Sequence, residues 1–150
     1  MRPLIIGGGP AGTAAAITLA ERGVPARLID RRGVAAPIDK ACGGLLTPRA
    51  VHLLGSLGLE VASLGRPIDF VDLVARGRRQ RIKWPTSTDA GETTGIVVSR
   101  GRLDSALLDR ASELGVEVEL GREAIEPIVE RGFVRGVRTS NGEQESTEPA

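Results

Sequence analysis

The chain predicts an α/β fold, a central parallel sheet built from Leu4 to Ile6, Ala26 to Asp30 and Val116 to Leu120 with an antiparallel layer added by a hairpin from Ala124 to Thr139, on three observations. A short aliphatic run, Leu4-Ile5-Ile6, passes directly into a glycine turn, Gly7-Gly8-Gly9-Pro10-Ala11-Gly12. An alanine-rich stretch follows and ends at Gly23, and a second run, Ala26 to Asp30, closes on a carboxylate. Further on, Ile96-Val97-Val98, the stripe Leu103, Ala106, Leu107, Ala111 and Leu114, and the run Val116 to Leu120 repeat the strand-helix-strand order. At 150 residues this is one domain's worth of chain, enough to bury roughly 70% of its unfolded surface.

Composition removes several function classes. Lys and Arg number 20 against 19 Asp and Glu, a net charge of +1, without the basic excess of a nucleic-acid binder. Phe70, Trp84 and Phe133 are the only aromatics, too few for a base-stacking platform. One cysteine, Cys42, and one histidine, His52, rule out an internal disulfide, a multi-Cys zinc knuckle and a zinc site built from several histidines. Pro3 to Ala20 carries no charge. Gly7-Gly8-Gly9-Pro10 divides that run into pieces too short to span a bilayer, so a cytoplasmic protein is expected.

Pro3 to Ile6 reads as a buried strand. Pro10 to Arg22 reads as a helix with Ala11, Ala14, Ala15, Leu19 and Ala20 on its apolar side. Arg31 to Gly44 has no periodicity and reads as a long loop. Thr47 suits an N-cap with Pro48 at the first helical position, and Val51, Leu53, Leu54 and Leu57 give that helix an apolar face, with His52 on the exposed side. Ile68 to Val74 and Arg78 to Trp84 form a hairpin turning at Arg76-Gly77. Its basic stretch, Arg76 to Lys83, is the solvated face of an edge strand. Pro85 to Gly95 is a polar loop. Ala124 to Glu130 and Phe133 to Thr139 form a last hairpin around Arg131-Gly132, and Asn141-Gly142 marks a reversal. Glu143 to Ala150 lacks a core-facing pattern.

The turn satisfies G-x-G-x-x-G through Gly7, Gly9 and Gly12. Gly7 permits the tight exit from the strand, Gly9 lets a pyrophosphate approach the backbone, and Gly12 lets helix and sheet pack closely. Pro10 and Ala11 open the helix, whose free N–H groups and positive dipole end face the phosphates. Asp30 follows Gly12 by eighteen residues, where a carboxylate accepts the hydroxyls of an adenosine ribose and repels a 2′-phosphate. Arg31 and Arg32 offset that repulsion. Arg31 is therefore kept among the nucleotide-binding candidates, and both also read as a solvated loop face. The context is that of a Rossmann-like dinucleotide domain holding FAD or NAD(P).

At this point the chain resembles the flavoprotein superfamily of geranylgeranyl reductases and aromatic-ring hydroxylases. The likeness rests on the turn with Asp30, on Asp39-Lys40-Ala41-Cys42-Gly43-Gly44-Leu45-Leu46-Thr47-Pro48-Arg49-Ala50, and on Val98-Ser99-Arg100 with Leu103-Asp104 and Leu107. It implies FAD rather than NAD, since an NAD domain usually continues with another βα unit directly after Asp30. The Lys-x-Cys-Gly-Gly stretch is the piece most similar to the reductases. It implies that Cys42, Gly43 and Gly44 lie along the flavin, the other reading being that Cys42 is a small buried hydrophobe in a glycine turn. By the same resemblance Arg100 contacts the FAD phosphates or ribityl chain, whereas Arg102 is surface. Lys40 carries a weaker signal, and Trp84 reads as a cavity wall or as packing.

The resemblance implies an oxidoreductase in which NAD(P)H reduces FAD. The reduced flavin then saturates an isoprenoid double bond or activates oxygen for hydroxylation. No catalytic residue is assigned. A small hydrophobic or aromatic substrate is implied, with peripheral membrane contact of a full-length form, and a silent dinucleotide-binding module is the reading from a different class. The Gly-Ala-Asp-Gly-like segment and the later Gly-Asp motif of such flavoproteins do not occur in these residues. The chain thus reads as residues 1–150 of a longer FAD domain, with weak FAD affinity alone and self-association through an unpaired sheet edge.

Overall fold

The computed structural model describes residues 2–33, 41–83, 94–142 and the backbone of 144–146. In chain order the elements are β1 (Leu4–Ile6), α1 (Pro10–Glu21), β2 (Arg27–Asp30), β3 (Leu45–Leu46), α2 (Pro48–Ser56), α3 (Val61–Leu64), β4 (Arg66–Ile68) and β5 (Phe70–Ala75). Then come β6 (Arg78–Lys83), β7 (Gly95–Val97), α4 (Arg100–Glu113), β8 (Glu117–Leu120), β9 (Ala124–Glu130), β10 (Phe133–Thr139) and β11 (Gln144–Ser146). The expected positions Asp39, Lys40 and Trp84, and most of the loop from Pro85, lie outside the described residues. The chain divides into two compact units, Met1–Ile38 with Asp104–Ala150, and Asp39–Leu103.

In the first unit β1, β2 and β8 form the expected parallel sheet in the order β1-β2-β8, with Ile5 opposite Leu28 and Leu28 opposite Val118. Ile17, Leu28, Ile29, Leu107 and Ala111 are wholly buried and make its core. Gly23 and Gly115 end α1 and α4 at positive φ, 72° and 81°, the conformation a helix stop needs. The inward face of α1 differs from expectation. Thr13, Ala16 and Ile17 are buried, while Ala11 and Ala15 are exposed. A helix apolar nearly all round does not declare its inner face by pattern, and packing on the turn selects it.

The hairpin β9–β10 turns at Arg131-Gly132, both at positive φ. A third strand, β11, was not foreseen in the polar tail. It pairs antiparallel with β10, Gly136 opposite Ser146 and Arg138 opposite Gln144, after a reversal at Gly142 (φ 80°). Strand pairing satisfies backbone groups and needs no apolar alternation when an open edge is offered.

The second unit corrects two expectations. Ile96-Val97-Val98 heads a strand-helix-strand repeat whose two strands belong to different sheets: β7 lies antiparallel between β3 and β4, while β8 joins β1 and β2 as expected. Ile68 does not start the hairpin but ends β4, where Pro67 stands opposite Ile96, an edge position that tolerates a missing N–H. The hairpin proper, β5–β6, begins at Phe70 and turns at Arg76 (φ 49°) and Gly77 (φ 73°). All of β6 is exposed, as its charge pattern implied. Asp72 accepts hydrogen bonds from Arg79 and Arg81, which hold its carboxyl far below the usual range. Arg81 also lies 3.9 Å over the Phe70 ring.

Helix α2 is capped as expected, Thr47 Oγ1 accepting the Ala50 N–H at 3.3 Å. Leu54 and Leu57 are buried, but Leu53 is 58% exposed and leaves the expected apolar face. His52 is exposed and borders a cavity of about 340 Å³ that also touches Val51, Leu59, Val61 and Ala62. Among the described residues no helix is long and apolar enough to cross a membrane, and no group of His, Cys, Asp and Glu is arranged to hold a metal ion.

Candidate cofactor site

Glycine is required in the β1–α1 turn for different reasons at different positions. Gly7 sits at φ 103°, where a side chain is strained, and its N–H donates to the Ile29 carbonyl at 2.8 Å, tying the turn to β2. A Cβ on Gly12 would stand 2.0 Å from the Gly7 carbonyl oxygen, so α1 touches the turn backbone to backbone. Gly9 is the N-cap residue of α1, with extended backbone and no side-chain cap. Its carbonyl accepts the Thr13 N–H at 3.0 Å and the Thr13 hydroxyl at 2.7 Å, which satisfies a buried polar side chain. Pro10 has no N–H, and the N–H groups of Ala11 and Gly12 lie in the first turn, where a helix supplies no acceptor. A helix start of this kind, uncapped and reached by a backbone without Cβ atoms, fits an anionic pyrophosphate.

Asp30, 8% exposed at the end of β2, stands beside this turn. Its Oδ2 accepts the Gly8 N–H at 2.5 Å, and its Oδ1 accepts the Arg32 N–H at 2.8 Å and Nε–H at 2.9 Å. Burial alone would raise its pKa. The hydrogen bonds from Arg32 and Gly8 outweigh that and hold the carboxyl below its usual value. The acid is therefore ionised at neutral pH and faces the turn, as an acceptor for sugar hydroxyls must.

Arg32 does not lie on a solvated loop face. Its side chain is 17% exposed, and besides Asp30 it donates to the Gly8 carbonyl at 2.7 Å and to Asp104 Oδ2 at 3.3 Å. Arg31 does face solvent, 77% exposed and 3.8 Å from Glu123. Three members of this cluster are not assigned to the site by the sequence: Gly8, Arg32, which reads as a loop face, and Asp104, which enters only through the likeness of its segment. Gly8 is the middle residue of the glycine run, yet its N–H orients Asp30, and a Cβ there would press on Asp30 Oδ2 at 3.2 Å and on Leu108 at 3.3 Å. Asp104 is fully buried. The signal that could have found it is a carboxylate on the same helical stripe as Leu107 and Ala111.

The second unit holds the remaining candidates. Gly44 is buried at φ 66°, and a Cβ there would meet the Val98 carbonyl oxygen at 1.9 Å. Packing against Val98 thus accounts for this glycine, and the Gly44 carbonyl accepts the Val98 N–H at 2.9 Å. Gly43 has open space on its Cβ side. Cys42 is a free, exposed thiol whose Sγ accepts the Gly44 N–H at 3.4 Å, so its reading as a buried hydrophobe is corrected. Arg100 opens α4 and is half-buried, with Ser99 as cap, its Oγ accepting the Arg102 N–H at 3.3 Å. Arg102 is exposed and donates to the Ser63 carbonyl at 3.0 Å. The fold thus gathers Gly7, Gly8, Gly9, Gly12, Asp30 and Arg32 in the first unit, and Cys42, Gly43 and Gly44 beside Val98 in the second.

Residues 1–148 match the family model described as FAD binding domain. The chain is 34% identical over 137 residues to the digeranylgeranylglycerophospholipid reductase of Methanosphaerula palustris, a match covering 90% of this chain and 33% of that protein. Among solved structures it is similar to the myxobacterial chondrochloren halogenase CndH, an FAD-dependent halogenase (TM-score 0.79, 27% identity, 95% of this chain and 34% of that one). It is also similar to a geranylgeranyl bacteriochlorophyll reductase-like protein from Thermoplasma acidophilum (TM-score 0.75, 25% identity, 95% and 36%). A third similar structure is 2-methyl-3-hydroxypyridine-5-carboxylic acid oxygenase (TM-score 0.72, 25% identity, 97% and 37%). The chain spans about a third of the length of these relatives.

Proposed function

Since the chain belongs to the FAD binding domain family, we propose that its β1–α1 turn and Asp30 hold the ADP half of FAD in a reductase of the geranylgeranyl type. One observation carries the binding assignment: an uncapped helix start, closed on the turn by Gly12, with the ionised Asp30 beside it. Gly7, Gly9, Pro10, Ala11 and Gly12 surround the pyrophosphate, and Asp30 accepts the ribose hydroxyls. Arg31, exposed beside Glu123, is assigned to the adenosine end of the site next to Asp30. Cys42, Gly43 and Gly44 are assigned to the flavin side, Gly43 being the one with room for a ligand, and Arg100 to the phosphates or ribityl chain.

When bound, FAD supplies the two-electron redox chemistry, and the protein supplies position and electrostatics. The likeness to the Methanosphaerula enzyme supports an isoprenoid substrate whose double bond is saturated, NAD(P)H being the electron source. The likeness to the pyridine-carboxylate oxygenase favours a second reading, oxygen-dependent hydroxylation of an aromatic substrate.

The binding test is titration of the chain with FAD, followed by quenching of flavin fluorescence. Saturable binding that is weakened at least tenfold by Asp30→Ala is expected. Binding of NADH in preference to FAD would overturn the assignment. The reaction test uses FAD-loaded protein, reduced by dithionite under nitrogen, with a geranylgeranyl phospholipid. A gain of two mass units per double bond supports the reductase, and a parallel run in which oxygen is admitted to the reduced protein with an aromatic carboxylate supports the hydroxylase if one oxygen atom is incorporated.

A further inference from the structure

The Asp30 carboxylate meets four donors. Oδ1 accepts the backbone N–H and the Nε–H of Arg32, while Oδ2 accepts the Gly8 N–H and an Nη2–H of Arg32. A carboxylate offers about four lone-pair directions, so a ribose hydroxyl gains an acceptor only when one of these bonds lets go. The longest is Arg32 Nη2 to Oδ2 at 3.2 Å, against 2.5, 2.8 and 2.9 Å for the others. That same Nη2 has a shorter bond, 2.7 Å, to the Gly8 carbonyl and stays satisfied after leaving Oδ2. On its far side the guanidinium is held by Asp104, fully buried on α4, through Nη1 at 3.3 Å.

We infer that Asp104 is a positioning residue for nucleotide binding. It anchors the Arg32 guanidinium between two carboxylates while Asp30 Oδ2 exchanges Arg32 Nη2 for a ribose hydroxyl. The inference rests on the reading of Asp30 as the ribose carboxylate. Without the charge at position 104, nothing draws the guanidinium away from Asp30, and the fork that Arg32 already makes there, Nε on Oδ1 and the longer Nη2 on Oδ2, tightens at its Nη2 prong. Oδ2 is then closed to the hydroxyl, while the helix start that meets the phosphates is unaltered.

The experiment titrates the 150-residue chain with ADP and with 2′-deoxyADP by calorimetry. The chain is expected to prefer ADP by about tenfold, the effect of one hydrogen bond to a charged acceptor. Asp104→Asn is expected to reduce that ratio to about two, with affinity for 2′-deoxyADP within twofold of the original. Added to Arg32→Gln, Asp104→Asn changes the ratio no further, because it acts through Arg32. Asp104→Ser, smaller and uncharged, gives the same reading where the asparagine variant is too unstable to titrate. An unchanged or larger ratio, or equal weakening of both nucleotides, overturns the inference and leaves the ribose assignment standing. A parent chain that binds both nucleotides alike overturns the assignment and the inference with it.

Discussion

Gly12 and Gly7 touch backbone to backbone: a Cβ on Gly12 would fall 2.0 Å from the Gly7 carbonyl oxygen. The contact decides how closely α1 approaches β1, and so where the first-turn N–H groups stand. Gly12→Ala must push the helix away from the turn. A loss of roughly 2–4 kcal/mol of stability is expected from such overpacking, read by urea denaturation, together with loss of FAD binding.

Gly43 and Gly44 separate packing from ligand access. Gly44→Ala puts a methyl 1.9 Å from the Val98 carbonyl oxygen at a φ of 66° and is expected to destabilise the chain by more than about 2 kcal/mol. Gly43→Ala meets nothing within 4 Å and is expected to leave the melting temperature within about 2 °C. FAD affinity that falls in the Gly43 variant despite unchanged stability identifies a backbone the flavin approaches. Unchanged affinity removes Gly43 from the site.

Asp30 makes stability depend on acid. Its native pKa is lowered from 3.8, so its stabilising contribution is complete above that value and disappears as pH falls through the lower native one. Asp30→Asn is expected to cost roughly 1–3 kcal/mol near neutral pH, the range for hydrogen bonds to a charged group. The gap to the parent should narrow as the pH falls below 3.8 and through the lower native value. A gap that does not narrow in acid would mean that the cost of the substitution is not tied to the charge on Asp30.

Cys42 is exposed and is the chain's single thiol. One equivalent of a thiol reagent such as dithionitrobenzoate is expected to react quickly with the native chain. Saturating FAD should slow that reaction at least fivefold if the thiol lies along the flavin, and equal rates with and without FAD would separate Cys42 from the cofactor.

The strand-turn-helix-strand unit was legible because its signals are local. An aliphatic run, a G-x-G-x-x-G turn and a terminal carboxylate fix their own geometry through backbone freedom and hydrogen-bond directions. The hairpin from Ala124 to Thr139 was legible for the same reason, since Arg131-Gly132 carries its turn chemistry in two residues. The strand β11 was not, because its partner is an edge made available by β10 and its own residues are polar. Likewise Ile96-Val97-Val98 reads as a strand in any sheet, and only pairing with β3 and β4 made it antiparallel.

The sequence alone therefore determined the glycine turn, the acid that ends β2 and the parallel pairing of β1 with β2, all set within one short strand-helix-strand stretch and by the handedness of βα connections. Tertiary structure alone decided what surrounds that acid. Arg32 follows Asp30 by two residues, but Asp104 stands seventy-two residues beyond Arg32. Nothing in either stretch announces the other. Their meeting depends on α4 packing beside the turn through Leu108, and burial there makes pairing obligatory, because a carboxylate without water must find a cation or donors among its neighbours.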